Sequence, residues 1–243
     1  MGIFDKKRPS ASKRTKSLFE LAQEAQEQEN QSVETNEITD EETVCAYRIA
    51  FDKSGEQGIF DSKVGGVPYV DLNNPDCVEN GLCLLLQINL EKQPLGENLN
   101  CGMLQFFIGA DITANCDFRV VYHSSIDYNI TAEDVQKLGI NCLFCNSAPL
   151  VDCASFSLEA IDDSTENSDG HKFFGYPFFC QDDVRELWEN GKKYDALLLQ
   201  LTTDLGENPV FKWGDSGTAH FFINSKRLSA LDFSDVKFSW ETY

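Results

Sequence analysis

The 243-residue chain has no apolar run approaching the roughly 18 to 20 residues that a membrane-spanning helix needs. Its longest greasy stretches, Leu82 to Leu86 and Ala196 to Leu199, are strand-sized. The N-terminus is basic, but no apolar core follows it, so a secretory leader is not expected. Lys6 stands where the myristoylation pattern needs Ser or Thr. Basic residues are scarce overall: 20 Lys and Arg face 40 Asp and Glu, for a net charge of −20. Such a surface repels nucleic acid and anionic lipid, so neither nucleic acid nor a membrane is expected as a partner. Nine cysteines is an odd count, and they are scattered through strand-like segments. Without an export signal they read as reduced, mostly buried thiols of a cytoplasmic protein.

Two chemical motifs are incomplete. Cys142-Leu-Phe-Cys145 has Cys153 downstream but no second CxxC. Structural zinc needs four ligands, so no metal is expected, and no cofactor. Gly214-Asp-Ser-Gly217 is similar to the nucleophile segment of trypsin-like proteases, yet the His-bearing block of that family is absent. A turn feeding a strand from Thr218 to Ile223 is expected there, and no catalytic residue is assigned.

What is present is core material. Hydrophobic residues make up 42% of the chain, 18 of them Phe, enough for a sizeable core. Residues 1–17 carry six basic side chains against Asp5, a net +5, so the remainder carries −25 of the total −20. That stretch reads as a basic arm. Ser17 to Asn30 reads as a short helix, with Leu18, Phe19, Leu21, Ala22 and Ala25 on one face. Residues 31–43 read as an acidic linker, and a single domain is expected over 44–243. Within it, Thr131-Ala-Glu-Asp134 fits a capping box that opens a helix closed by Gly139. Residues 161–170 read as a polar loop. Asp182 and Asp183 open a second helix expected to run to Trp188 and stop at Gly191.

The domain repeats itself. Lys63-Val-Gly-Gly-Val-Pro-Tyr69, Leu84-Leu-Leu-Gln-Ile88, Gly102-Met-Leu-Gln-Phe-Phe-Ile108 and Asp117-Phe-Arg-Val-Val-Tyr122 occur in order. They return as Lys172-Phe-Phe-Gly-Tyr-Pro-Phe178, Leu197-Leu-Leu-Gln-Leu201, Gly217-Thr-Ala-His-Phe-Phe-Ile223 and Asp232-Phe-Ser-Asp-Val-Lys-Phe238. Pro68 to Gln87 is 19 residues, against 23 from Pro177 to Gln200; Gln105 to Phe118 and His220 to Phe233 are both 13. This spacing implies an internal duplication with units about 44–130 and 171–243, joined by 131–170. Strict alternation places Leu84, Leu86 and Ile88 on one strand face, with Leu85 and Gln87 on the other. Both faces are largely apolar, so these are central strands. Short gaps favour antiparallel pairing. The fold class expected is α+β: two pseudo-symmetric, mainly antiparallel sheet units packed into one globule, with few short helices.

Taken together, Lys-x-Gly-Gly-x-Pro-Tyr, Leu-Gln-Phe-Phe-Ile, Gly-Tyr-Pro-x-Phe-x-Gln-Asp-Asp-Val-Arg and Trp-Gly-Asp-Ser-Gly resemble the YwqG-like family of bacterial proteins, over roughly residues 44–243. The resemblance implies an α+β fold and a bacterial cytosolic setting. It supplies no established reaction. Members are sometimes encoded near toxin–immunity systems, which points toward an immunity-type inhibitor.

Two groups of polar residues are candidates for a binding site. Gln87 and Gln200 interrupt apolar strands at matching places, as do Gln105 and His220. They could form a site between the halves, or satisfy backbone groups locally. Gln181, Asp182, Asp183, Asp204, Trp213 and Asp215 form a polar and aromatic set in the second half. Their carboxylates could bind a ligand, or cap helices and turns. The function expected is a non-enzymatic binding protein with a basic protein partner. The alternative is an enzyme of unknown reaction with its site where the halves join. The oligomeric state is left open.

Overall fold

The Phe- and Leu-rich segments become ten antiparallel strands. The structure is a computed structural model that describes residues 43–75, 81–109, 112, 116–139 and 149–243. The basic arm, the helix at 17–30, most of the linker, and Cys142 and Cys145 lie outside these residues.

The first half supplies β1 (Val44–Asp52), β2 (Lys63–Val64), β3 (Leu82–Asn89), β4 (Met103–Gly109) and β5 (Phe118–His123). The second supplies β6 (Ala154–Asp163), β7 (Lys172–Phe174), β8 (Ala196–Thr202), β9 (Gly217–Ile223) and β10 (Val236–Thr242). They form one sheet in the order β10-β9-β8-β7-β1-β6-β2-β3-β4-β5. Exchanging each of the first five strands with the strand five places later and reading backwards returns the same series.

This corrects the expectation of two separate sheet units. β1 pairs with β7 of the other half and β6 pairs with β2, while β1 and β6 pair with each other from Val44↔Asp163 to Asp52↔Ser155. Each half thereby covers an edge of the other, so backbone groups that two isolated sheets would leave open are hydrogen-bonded. The sheet also curls until its outermost strands touch. Phe118 of β5 lies 5.7 Å from the Phe238 ring of β10 and 6.1 Å from Phe221, and Tyr122 lies 5.4 Å from Phe233. The result is a nearly closed barrel with few helices.

Every residue of β3, β4, β8 and β9 is buried, as expected for strands covered on both faces. Their facing differs from strict alternation. The β3–β4 register shifts between Leu84 and Leu86, and the β8–β9 register shifts between Leu197 and Leu199. Each extra residue is a β-bulge, which re-aims the side chains before it. Leu85, Leu86 and Ile88 therefore share the barrel interior with Leu198, Leu199 and Leu201, while Leu84 and Leu197 join small outer clusters. The last block is also displaced. Ile108 pairs with Phe118 and Ile223 with Val236, so Val236, not Phe233, takes the ladder position that Phe118 has on β5. A helical turn at Ser225–Ser229 lengthens the connection before β10.

The Gly-x-Pro turns use the same unusual backbone twice. Gly65 and Gly66 have φ of 67° and 71°, and Phe174 and Gly175 have 63° and 79°. A bulky residue pays a steric cost in this left-handed region. Phe174 is nonetheless buried at 2% exposure, its ring 6.2 Å from Tyr47.

The helix at Ala132–Lys137 (α1) forms with the expected capping box of Thr131 and Asp134, and Gly139 follows with φ 68°. The helix expected from Asp182 to Gly191 does not form. Short 3-10 turns at Val184–Leu187 and Gly191–Lys193 replace it, separated by Asn190 at φ 58°. Gly191 sits so close to the Arg185 carbonyl that a Cβ there would overlap it. Among the described residues no helix is long and apolar enough to cross a membrane.

Candidate functional site

Gln87 and Gln105 form one network on the outer face of β3 and β4. The Gln87 amide donates to the Ile59 and Asp61 carbonyls at 2.8 and 2.9 Å, and its oxygen accepts from Tyr69 N–H at 3.1 Å. Gln105 donates to the Tyr69 carbonyl at 2.9 Å and to the Gln87 oxygen at 3.1 Å. His123 Nε2 meets the Gln105 oxygen at 2.9 Å.

The second half repeats this wiring on β8 and β9. Gln200 donates to the Ser168 and Gly170 carbonyls, both at 2.9 Å, and accepts from Phe178 N–H at 2.8 Å. His220 Nε2 lies 2.7 Å from the Phe178 carbonyl. A carbonyl only accepts, so Nε2 carries the ring proton and Nδ1 is a bare acceptor. That Nδ1 is buried without a partner, as is the Ser239 hydroxyl on the cross-strand position. The four residues do not meet. β3 and β8 are five strand steps apart, about 24 Å along the sheet. Each pair pins its own loop, 59–69 or 168–178, to the barrel wall.

Burial pushes the His220 pKa down to about 4 from 6.5, and the nearby Arg185 charge pushes the same way. The unfolded chain therefore binds the extra proton between pH 6.5 and 4. The stability tied to this neutral ring is complete above pH 6.5 and drains away as the pH falls toward 4. Gln is the residue that serves the matching position, Gln105. His220→Gln should accordingly keep the fold and flatten the loss of melting temperature between pH 6.5 and 4. An unchanged slope in that variant would assign the acid sensitivity to other groups, among them His123, whose pKa burial also lowers.

Asp204 sits elsewhere, on the loop after β8. Its carboxylate accepts from the Val210 and Phe211 N–H groups at 2.8 and 2.9 Å and meets His171 Nε2 at 3.0 Å. Burial alone would raise its pKa, but these bonds prevail and hold it at about 2. His171 Nδ1 accepts from Thr202 N–H at 3.2 Å, so both ring nitrogens are occupied. Trp213 is a core residue, 1% exposed and stacked on Phe211 at 6.3 Å. Asp215 is exposed in the turn that feeds β9, as expected for Gly214 to Gly217.

The segment from Phe178 to Asp195 covers the outer face of β8–β10. Gln181 donates to the Thr242 carbonyl at 2.8 Å, and Asp182 is exposed beside it. Asp183 caps the first 3-10 turn by accepting from Arg185 N–H at 2.9 Å, and it also holds the Arg185 guanidinium, Nη2 to Oδ2 at 2.6 Å. The guanidinium lies over the Phe222 ring at 4.8 Å. Burial would raise the Asp183 pKa, but the Arg185 contacts outweigh it and lower it. A cleft of about 810 Å³ opens here, with Arg185, Glu186, Trp188, Tyr194 and Asp195 in its walls. A second cavity of about 560 Å³ lies where β5 faces residues 231–236.

Pattern reading passed over one feature. Lys172 and Asp163 are 1% and 0% exposed at their side chains, and Nζ lies 2.7 Å from Oδ2. Tyr176 N–H donates to the same oxygen at 2.7 Å, while Oδ1 is buried without a partner. Lysine usually signals surface, and nothing in the spacing of 163 and 172 announces the pair. The recurrence of Lys63 at the matching position was the available signal, since Lys63 is also fully buried and donates to the Gly58 and Val67 carbonyls.

Among the described residues no group of three or more His, Cys, Asp or Glu side chains is arranged to hold a metal ion. A comparison with curated proteins found no match. A family model does match, over residues 62–242, which takes in β2 through β10. The chain therefore belongs to the family described as a domain of unknown function, DUF1963.

Proposed function

We propose that this chain is a non-enzymatic cytoplasmic binding protein, built from two diverged copies of one strand module, that engages a basic protein partner through its acidic surface. The motif resemblance to YwqG-like bacterial proteins favours the immunity-type version of this role, in which the chain inhibits the partner. One observation carries the reading. Gln87, Gln105, Gln200 and His220 are buried, Asp204 is partly buried, and each is held by local backbone or side-chain partners. Of the residues selected from the sequence, Asp183 lines the cleft beside Trp188, and its carboxylate is taken up by Arg185. The candidates that face solvent are Gln181, Asp182 and Asp215, in a chain of net charge −20. An arrangement of this kind suits association rather than bond-breaking.

The duplication is supported by the palindromic strand order, the matched bulges after Leu84 and Leu197, the paired left-handed turns and the repeated Gln wiring. In this reading β6 belongs to the second copy as the counterpart of β1, so that copy begins near residue 154 rather than 171.

Purifying the tagged full chain from its native cell at native abundance tests the function. The expected result is one stoichiometric partner with a basic isoelectric point. A bound metabolite in place of a protein would overturn the binding role and favour the enzyme.

A further inference from the structure

The ridge Gln181–Asp195 is the part of the second half that stands furthest from the core in its chemistry. Leu187 is 85% exposed at its crest. The turn that carries it is tied down by hydrogen bonds. Asp183 caps the turn beneath it, the Arg185 guanidinium is clamped by Asp183, and Arg185 Nη1 donates to the Tyr194 carbonyl at 3.3 Å. Gly191 N–H closes back onto the Trp188 carbonyl at 3.1 Å. Trp188 is half-buried beside Leu187, its ring edge-on to Tyr194 at 5.9 Å and to Phe222 at 6.0 Å.

The charges around this apolar crest are unbalanced. Asp183 is neutralised by Arg185, and Lys193 by Asp235 at 2.9 Å. Asp182, Glu186, Glu189 and Asp195 are exposed and make no ion pair among the described residues, against exposed Lys192 and, beside the Tyr194 ring, Lys237. An exposed apolar side chain on a hydrogen-bonded turn, with exposed carboxylates on the same segment, suits a protein-binding hot spot with a polar rim.

We infer that Leu187 and Trp188 dock into an apolar socket on a basic protein, with Asp182, Glu186 and Glu189 meeting arginines or lysines around that socket. This rests on the binding role proposed above and assigns it a place. The occupant is basic because the rim is acidic. A second copy of this chain is disfavoured, since it would set one −20 surface against another. Nucleic acid and anionic lipid are disfavoured by the same charge.

The test uses the full chain, labelled with nitrogen-15, and a defined probe: a synthetic amphipathic peptide of alternating arginine and leucine. The expected result is saturable shift changes concentrated on residues 181–195. Leu187→Ser should weaken binding about tenfold, the effect of losing one hot-spot side chain. Glu186→Lys with Glu189→Lys should weaken it at least as much. The control pair Glu56→Lys with Glu97→Lys alters net charge equally at exposed sites elsewhere and should change affinity less than about threefold. All five positions are exposed, and unchanged melting temperatures would confirm intact folds. Shift changes spread over the whole acidic surface, or equal losses in both charge-reversed pairs, would overturn the assignment. If the partner isolated from the native cell binds Leu187→Ser as tightly as the parent chain, the docking site is wrong while the binding role stands. If no basic partner is isolated, the binding role itself fails.

Discussion

Gln87→Met and Gln200→Met should each destabilise the protein by about 3 to 5 kcal/mol, because each strands two carbonyls and one N–H in a dry setting at about 1 to 3 kcal/mol per group. The side-chain volume is nearly conserved, so a cavity contributes little. Gln87 should cost about 1 kcal/mol more, since it also accepts from Gln105. The two sites share no partner and lie well beyond contact, so the double variant should show the sum of the single effects within about 0.5 kcal/mol. Urea unfolding midpoints at constant m-value measure all three. A near-neutral Gln87→Met beside a costly Gln200→Met would mean that the matched hydrogen bonds do not perform matched work, and the copied-module reading would lose its main support.

Asp163→Ala should cost about 3 to 5 kcal/mol, because it leaves the Lys172 ammonium buried without a counter-charge. Lys172→Met should cost a similar amount by stranding the carboxylate, one of whose oxygens already lacks a partner. Removing both together, as Asp163→Leu with Lys172→Met, should recover most of the loss. It should remain about 1 to 2 kcal/mol below the parent, since Tyr176 N–H would still lack its acceptor. A double-mutant cycle read by thermal or urea unfolding gives the coupling. If the two single changes simply add, the pair is not the unit that the geometry describes. Gly175 belongs to the same device: a Cβ there would meet Asp163 Oδ2, so the turn can close over the carboxylate only without a side chain.

Much of the scaffold was legible before any coordinates. The Gln interruptions in Leu84–Ile88 and Leu197–Leu201 marked two buried central strands, because a polar residue in a two-sided apolar strand must satisfy a fixed set of neighbours. Thr131 and Asp134 announced α1, since a capping box is a local bond pattern. Facing failed at Leu85 and Leu198. A bulge depends on the partner strand's register and leaves no mark in an all-leucine run. Gln181, Asp182 and Asp183 are legible as a polar cluster, but the helix expected from Asp182 does not form. The acidic start fits a helix or a 3-10 turn equally, and the contact of Gly191 with the Arg185 backbone decides between them.

By itself the sequence determined the central strands β3, β4, β8 and β9, the antiparallel sense and the acidic net charge, because these follow from side-chain period, short connections and composition. Only the tertiary structure decided that β1 and β6 cross to the opposite half and merge both into one curled sheet. Alternation says which face a residue presents, but not which of several free edges its backbone will join. The same long-range choice brought Lys172 across to Asp163 and raised Leu187 on a hydrogen-bonded turn. Each of these depends on segments that meet only after the chain has folded.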